Sequence, residues 1–296
     1  MGTDYDIRMR IRAPRGVVFE RLLRIEHLAR WFCGWARIEP RVGGSFKFGG
    51  ETCIVLPEGR GWETTIDEGE TLRRFAFTWP IAGVPTRVAY ELEDEGDAAT
   101  VLRARHAGVP VAESTCGTVH DAWRICLGNL KAIAEGRSDG VRPDHAPVEE
   151  PEVRLTTIIE APADRVFAAL AAADAVDHWS TGGTPRGRAV VEPRPGGAFA
   201  LGRGGGPDRV REIETNRRLV LAGGTGPEGM RVSFELEAKA SGTAVYLRAV
   251  GYPQDRPGDV LRDRGAWSER LVNLRNYVES GEAGFLDPYE TQARGT

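Results

Sequence analysis

Lysine is almost missing from this chain of 296 residues: Lys47, Lys131 and Lys239 are the only ones, and every other basic side chain is arginine. Arginine in place of lysine suits planar, bidentate recognition of anions. It is also the mark of a GC-rich genome of the actinomycete kind. The formal net charge of -4 excludes an overall positive field for nucleic acid. Cysteine is scarce too. Cys33, Cys53, Cys116 and Cys126 all fall in the first half and form no C-x-x-C pair, so scattered buried thiols are expected and a disulfide framework is not. Long apolar runs are absent: nothing approaches the roughly 20 residues a bilayer span needs. The opening MGTDYDIRMR lacks the apolar centre of a signal peptide. A cytoplasmic location, away from membranes, is the expectation. Histidines and cysteines show no metal-ligand spacing, no G-x-S-x-G elbow occurs, and no cofactor is implied.

What is present is a repeat. Ala13-Pro14, Val18-Phe19, Leu22 and Trp31 return at an offset of 148 as Ala161-Pro162, Val166-Phe167, Leu170 and Trp179. Glu39-Pro40-Arg41, Gly43-Gly44 and Phe46 return at 153 as Glu192-Pro193-Arg194, Gly196-Gly197 and Phe199. The second copy has therefore gained five residues, within Thr181 to Arg188. Arg87-Val88 with Glu91-Leu92-Glu93 returns at 144 as Arg231-Val232 with Glu235-Leu236-Glu237. Ala122-Trp123, Leu127 and Asn129-Leu130 return at the same offset as Ala266-Trp267, Leu271 and Asn273-Leu274. Four blocks in one order mark a tandem duplication. The expected organisation is domain 1 over residues 1–138, a linker rich in proline and acids over 137–151, domain 2 over 151–283, and a loose tail over 284–296.

Within one copy, Asp6 to Arg12 alternates as a half-buried strand does. Pro14 opens a helix at the turn where its missing N–H is harmless. Val18, Phe19, Leu22 and Leu23 hold helical spacing, and Ile25 to Phe32 reads as a second short helix. Strands follow: Arg37 to Pro40 through the Gly43-Gly44 turn into Ser45 to Phe48, then Glu51 to Leu56, Glu63 to Asp67, Leu72 to Trp79, Arg87 to Glu93 and Thr100 to His106. Short connections imply antiparallel pairing. A long helix over about Thr115 to Glu135 carries one apolar stripe of Val119, Trp123, Cys126, Leu130 and Ile133; Trp267, Leu271, Leu274 and Val278 repeat it. Each copy thus reads β-α-α-β-β-β-β-β-β-α. By fold-level analogy, one helix across six or seven curved strands leaves a cavity beneath it.

The A-P-x-x-x-V-F start, the Trp closing the second helix, the E-P-R-x-G-G-x-F hairpin and the terminal W-x-x-x-L-x-N-L resemble the SRPBCC, or START-like, helix-grip superfamily. They are most similar to the branch named for the activator of a heat-shock chaperone ATPase. The resemblance covers nearly the whole chain, twice. It implies an α+β fold of two tandem helix-grip domains, each a curved antiparallel sheet wrapped around a long C-terminal helix with two short helices. Helix-grip proteins include carriers of hydrophobic ligands, polyketide aromatases and cyclases, and antibiotic self-resistance proteins.

The candidate ligand-binding residues are aromatic. Trp31, Trp35, Phe46, Phe48, Trp62, Phe77, Trp79, Tyr90 and Trp123 crowd the first copy, with Phe75 beside them. Trp179, Phe199, Phe234, Tyr246 and Trp267 serve the second. Such a lining suits a flat or conjugated molecule. The candidates for catalysis are His106, His120 and Arg87: two histidines at a cavity mouth could move a proton, and the arginine, matched by Arg231, could clamp a carboxylate or enolate. The leading expectation is binding of an apolar, polyketide- or polyene-like molecule by a monomer, in natural-product biosynthesis or self-resistance. The rivals are a cyclase, aromatase or dehydratase, and a chaperone-interacting module. Gly224-Thr225-Gly226 with Gly229 fits a dinucleotide signature but precedes a strand, so it is rejected.

Overall fold

The computed structural model describes residues 2–111, 113–203, 207–223 and 229–287. Most of the expected tail and the triplet Gly224-Thr225-Gly226 lie outside them. The chain forms two compact units: unit 1 takes Met1–Pro151 with Pro253–Val272, and unit 2 takes Glu152–Tyr252 with Asn273–Thr296.

Unit 1 contains β1 (Thr3–Ile11), α1 (Arg15–Leu23), α2 (Ile25–Trp31), β2 (Trp35–Ile38), β3 (Ser45–Gly49), β4 (Trp62–Glu70), β5 (Arg74–Ile81), β6 (Val84–Asp94), β7 (Thr100–Val109), the short pair β8 (Glu113–Ser114) and β9 (Gly117–Thr118), and α3 (Val119–Ala134). Seven strands form one antiparallel sheet in the order β1-β7-β6-β5-β4-β3-β2. Strand alternation gives it one apolar face, with Tyr5, Ile7, Met9 and Ile11 of β1, Phe75, Phe77 and Trp79 of β5, and Val88, Tyr90 and Leu92 of β6 all buried. The strand expected over Glu51 to Leu56 does not form. Gly50 takes a positive φ of 100° and turns the chain away from the sheet. The segment then spends its polar groups on side chains: the Cys53 carbonyl meets His145 Nε2 at 2.7 Å, and Thr52 Oγ1 meets Arg142 at 3.0 Å.

The Gly-Gly of the repeated hairpin is required by geometry in both copies. Gly43 and Gly196 adopt φ of 73° and 77°, where a side chain is strained. A Cβ on Gly44 or Gly197 would lie 2.2 Å from the carbonyl oxygen of Glu39 or Glu192. Other repeated residues also repeat their bonds. Trp31 Nε1 donates to Arg21 O and Trp179 Nε1 to Ala169 O, at 3.0 and 2.9 Å. Glu135 accepts from the backbone of Arg12, and Glu279 from that of Glu160, both at 2.8 Å. The repeated Gly-Gly pairs and the indole N–H groups of Trp31 and Trp179 are thus structural ties.

Helix α3 begins at a capping box between Thr118 and Asp121. Its apolar stripe is buried as expected, but so is its other face. Arg124 meets Glu269 at 2.8 Å with both side chains at 1% exposure or less. Lys131 pairs with Glu135 and donates to Arg10 O. Asn129 holds the backbone at Val141 and Gly140. The segment over 137–151 lies on unit 1 through such contacts. Asp139 binds Arg30, and Arg142 donates to the carbonyls of Ala29 and Cys33.

Unit 2 contains β10 (Glu152–Ile159), α4 (Ala163–Ala171), α5 (Ala173–Thr181), the pair β11 (Val190–Val191) and β12 (Phe199–Ala200), β13 (Arg209–Glu214), β14 (Arg218–Ala222), β15 (Arg231–Lys239) and β16 (Gly242–Val250). Among the described residues its sheet has five strands, ordered β10-β16-β15-β14-β13. The last helix, α6 (Pro257–Ser280), gives its front part to unit 1 and its end to unit 2. The five inserted residues are held by one buried carboxylate. Asp177 accepts from the backbone of Arg186 and Gly187 at 2.7 Å, and of Arg188 and Ala189 at 3.3 Å. Its counterpart in the first copy, which lacks the insertion, is Ala29.

Candidate functional site: an aromatic interior

In unit 1 the sheet's apolar face, α2 and α3 meet in a continuous group of rings. Phe46 and Phe48 stand 4.7 Å apart, Phe46 and Phe77 5.0 Å, Phe48 and Trp79 5.1 Å. Tyr90 stacks on Phe75 at 6.1 Å and meets Trp123 and Trp31 edge-on. Trp62, half-buried, closes the group against Trp79 at 5.7 Å. Such pairs add roughly 0.5–1.5 kcal/mol each beyond the area they bury. Sequence reasoning missed Phe32, whose ring lies within 6.3 Å of those of Trp31, Phe46, Phe48, Phe77, Trp79 and Trp123. The sequence pattern extends the helix through Phe32, whereas α2 ends at Trp31 and Phe32 is its C-cap, so its facing cannot be read from helical spacing.

His106 is buried inside this group and stacks on Trp79 at 5.3 Å. Trp123 Nε1 lies 3.1 Å from its Nδ1. An indole N–H only donates, so Nδ1 must accept and the proton sits on Nε2. Nε2 then donates to Thr86 Oγ1 at 2.7 Å, and Thr86 donates to Trp79 O at 2.7 Å. Burial lowers the His106 pKa from 6.5 to about 3, so the ring is neutral with both nitrogens engaged.

The other catalytic candidates lie elsewhere. Arg87 is on the solvent face, because its neighbour Val88 is the residue opposite His106; it pairs with Glu68 at 2.7 Å and Asp67 at 3.7 Å. His120 stacks on Tyr5, which is the β1 residue opposite His106. Tyr5 is thus the ring neighbour of His120, while the rings against His106 are those of Trp79 and Trp123. The cysteines offer no thiolate: burial pushes Cys53 and Cys116 up to about 11 and raises Cys33 and Cys126 as well. Among the described residues no group of three or more His, Cys, Asp or Glu side chains is placed to hold a metal ion.

Trp31, Phe46, Phe48, Phe77, Trp79, Tyr90 and Trp123 are thus brought together, with Trp62 at the edge. Trp35 is not inside: it is 39% exposed and lies over the backbone of Gly49 and Gly61. In unit 2, Trp179, Phe199 and Phe234 are buried. Tyr246 faces out and donates to Glu237, because Val245 and Leu247 take the inner face of β16. Arg231 and Glu235 are exposed. Trp267 is buried and belongs to unit 1, with the Arg270 guanidinium 4.8 Å from its ring.

Among the described residues, two polar atoms in the aromatic interior have no hydrogen-bond partner: Tyr90 Oη and Trp79 Nε1. Tyr90 is 2% exposed and Trp79 fully buried. Burial raises the Tyr90 pKa well above 10, so its hydroxyl keeps its proton and can donate.

Two antiparallel sheets, each packed against helices and carrying the same motifs, define a tandem α+β helix-grip protein. The chain belongs to the family described as Activator of Hsp90 ATPase homolog 1-like protein, whose profile matches residues 12–135 and again 160–279. Among solved structures it is similar to CalU16 from Micromonospora echinospora, with 24% identity over 45% of this chain and 75% of that one and a TM-score of 0.36. It is also similar to DynU16, from the dynemicin biosynthetic locus, with 15% identity over 93% and 98% and a TM-score of 0.38. The Aha1 dimer from Colwellia psychrerythraea shows 17% identity over 45% and 96%, with a TM-score of 0.36. No curated protein matches the chain. No helix among the described residues is long and apolar enough to cross a membrane.

Proposed function

We propose that the chain binds a flat, largely apolar small molecule of polyketide or polyene character in the aromatic interior of unit 1, within natural-product biosynthesis or self-resistance. The observation that carries this reading is the pair of unpartnered polar atoms, Tyr90 Oη and Trp79 Nε1, inside a ring-lined interior. A buried donor left unsatisfied costs about 1–3 kcal/mol. A ligand whose carbonyl or hydroxyl oxygen meets those donors recovers that cost, and its flat body replaces ring against ring. The rings touch one another, so binding is coupled to movement at the rim, where Trp62 closes the group against Trp79. Binding therefore selects an opened state.

The test is titration with 1,8-dihydroxyanthraquinone, flat and bearing acceptor oxygens, followed by quenching of tryptophan fluorescence. Saturable one-to-one quenching is expected. Y90F and W79F should each weaken it about tenfold, the worth of one hydrogen bond in a dry site. Absence of saturation, or unchanged affinity in both variants, would leave the rings as a core and nothing more.

A further inference from the structure

Unit 2 carries a cleft of about 330 Å³ between α4, the start of α5 and the end of α6, with no strand residue in its walls. Its walls include Ala168, Ala169, Ala172 and Ala175, together with Arg165 and with Tyr277, whose ring lies 4.9 Å from that of His178. The duplication supplies an internal comparison. At the offset of 148, fixed by the matched Trp31 and Trp179 bonds, those four alanines correspond to Glu20, Arg21, Arg24 and His27. In unit 1 these four side chains close on one another. Arg24 pairs with Glu20 at 2.7 Å, Arg21 with Glu20 at 3.3 Å, and Arg21 meets His27 at 2.9 Å. One copy fills this place with a charge network, and the other has cut every member to a methyl group. Arg165 replaces Val17 and has no acidic partner among the described residues.

We propose that this cleft binds a second small molecule, one with an apolar body and a carboxylate end. The volume falls at the lower end of the roughly 300–1,000 Å³ usual for small-molecule sites. Alanine walls and the Tyr277 ring accept an apolar body. The Arg165 guanidinium, planar and unpaired, takes a carboxylate through two parallel hydrogen bonds. The site lies in the other unit and does not depend on the aromatic interior.

Decanoate, below its micellar concentration, is the probe, and calorimetry on the full chain is the measurement. One saturable event per chain is expected. R165Q should weaken it about three- to fivefold, the worth of an ion pair at an exposed site, and decan-1-ol should bind the unchanged chain more weakly by a similar factor. A172R restores the bulk of Arg24 and should abolish binding. A168E gives Arg165 a carboxylate three residues away and should weaken it. Residues 165, 168 and 172 are exposed, so thermal unfolding should be unchanged. Y90F should bind decanoate as the unchanged chain does, which separates this site from the interior of unit 1. Absence of saturable heat, or full affinity retained in R165Q and A172R, overturns the proposal.

Discussion

Trp123, His106 and Thr86 form a one-way chain of donors ending on the Trp79 carbonyl. A proton added to His106 Nδ1 would turn its acceptor into a donor facing the indole N–H, deep in a ring cluster. Its folded pKa of about 3 lies below the unfolded 6.5. Between those values the unfolded state binds the extra proton, so stability rises with pH there. The contribution is fully present above pH 6.5 and is lost as pH falls towards 3. At about 1.4 kcal/mol per pH unit, this group alone removes roughly 2 kcal/mol between pH 6.5 and 5. Urea unfolding at both pH values should show H106Q less stable than the unchanged chain at pH 6.5 and closer to it at pH 5. Parallel losses in the two proteins would sink this account. The site was partly legible at this scale. Alternation placed Phe75, Phe77 and Trp79 together because strands have a fixed period. It could not tell that Tyr246 falls on the outer parity of its strand, that Phe32 turns inward past a helix end, or that Tyr90 Oη and Trp79 Nε1 have no hydrogen-bond partner among the described residues. Those facts depend on which residues three-dimensional packing sets across from them.

Elements were easier to read than their surroundings. The 4, 3, 4, 3 spacing of α3 marks one apolar stripe, yet the helix is buried all round, its polar face satisfied by Glu269, Glu135 and the 137–151 segment. A polar, proline-containing stretch looks the same in sequence whether it bridges domains or straps one of them, because composition does not say where Arg142 and Asn129 find their partners. The insertion in the second copy shows the same limit. Its length was legible from the change of offset, but not its anchor. Asp177 sits within α5 and collects four backbone N–H groups from beyond the helix. Removing that carboxylate leaves those donors to compete for water around a site where Asp177 is 4% exposed. D177A should therefore lose about 2–4 kcal/mol of stability. Hydrogen exchange should show amides 186–189 losing protection while those of β16 keep it. Unchanged protection at 186–189 would mean that the loop is held by something other than this carboxylate.

Over the whole chain, the repeat in sequence and the compact unit in space do not coincide. The second copy's last helix is homologous to α3, yet its front part, within Pro253–Val272, belongs to unit 1. Arg124 and Glu269 show why no comparison of copies could reveal this: their counterparts are Ser268 and Ile125, so the pair has no mirror image within the repeat. Breaking such a buried pair costs about 3–5 kcal/mol, and a fragment ending at residue 151 would lose it. Backbone contact also ties α6 to unit 1. A Cβ on Gly265 would lie 2.5 Å from the Cys116 carbonyl oxygen and 2.9 Å from Gly117 Cα. Neither is the movable tip of a side chain. Glycine inside a helix is normally worse than alanine by about 1 kcal/mol, so G265A would stabilise a helix that stood alone. Here the contact should reverse the sign, with a net loss of at least 1–2 kcal/mol, the lower range for overpacking. Gly258 lies in the same helix with open space around its Cβ position, and G258A should be neutral or stabilising. Urea unfolding of the two variants reads opposite signs from one substitution in one helix. If G265A were as benign as G258A, the front of α6 would not be seated on Cys116 and Gly117, and unit 1 would end at residue 151.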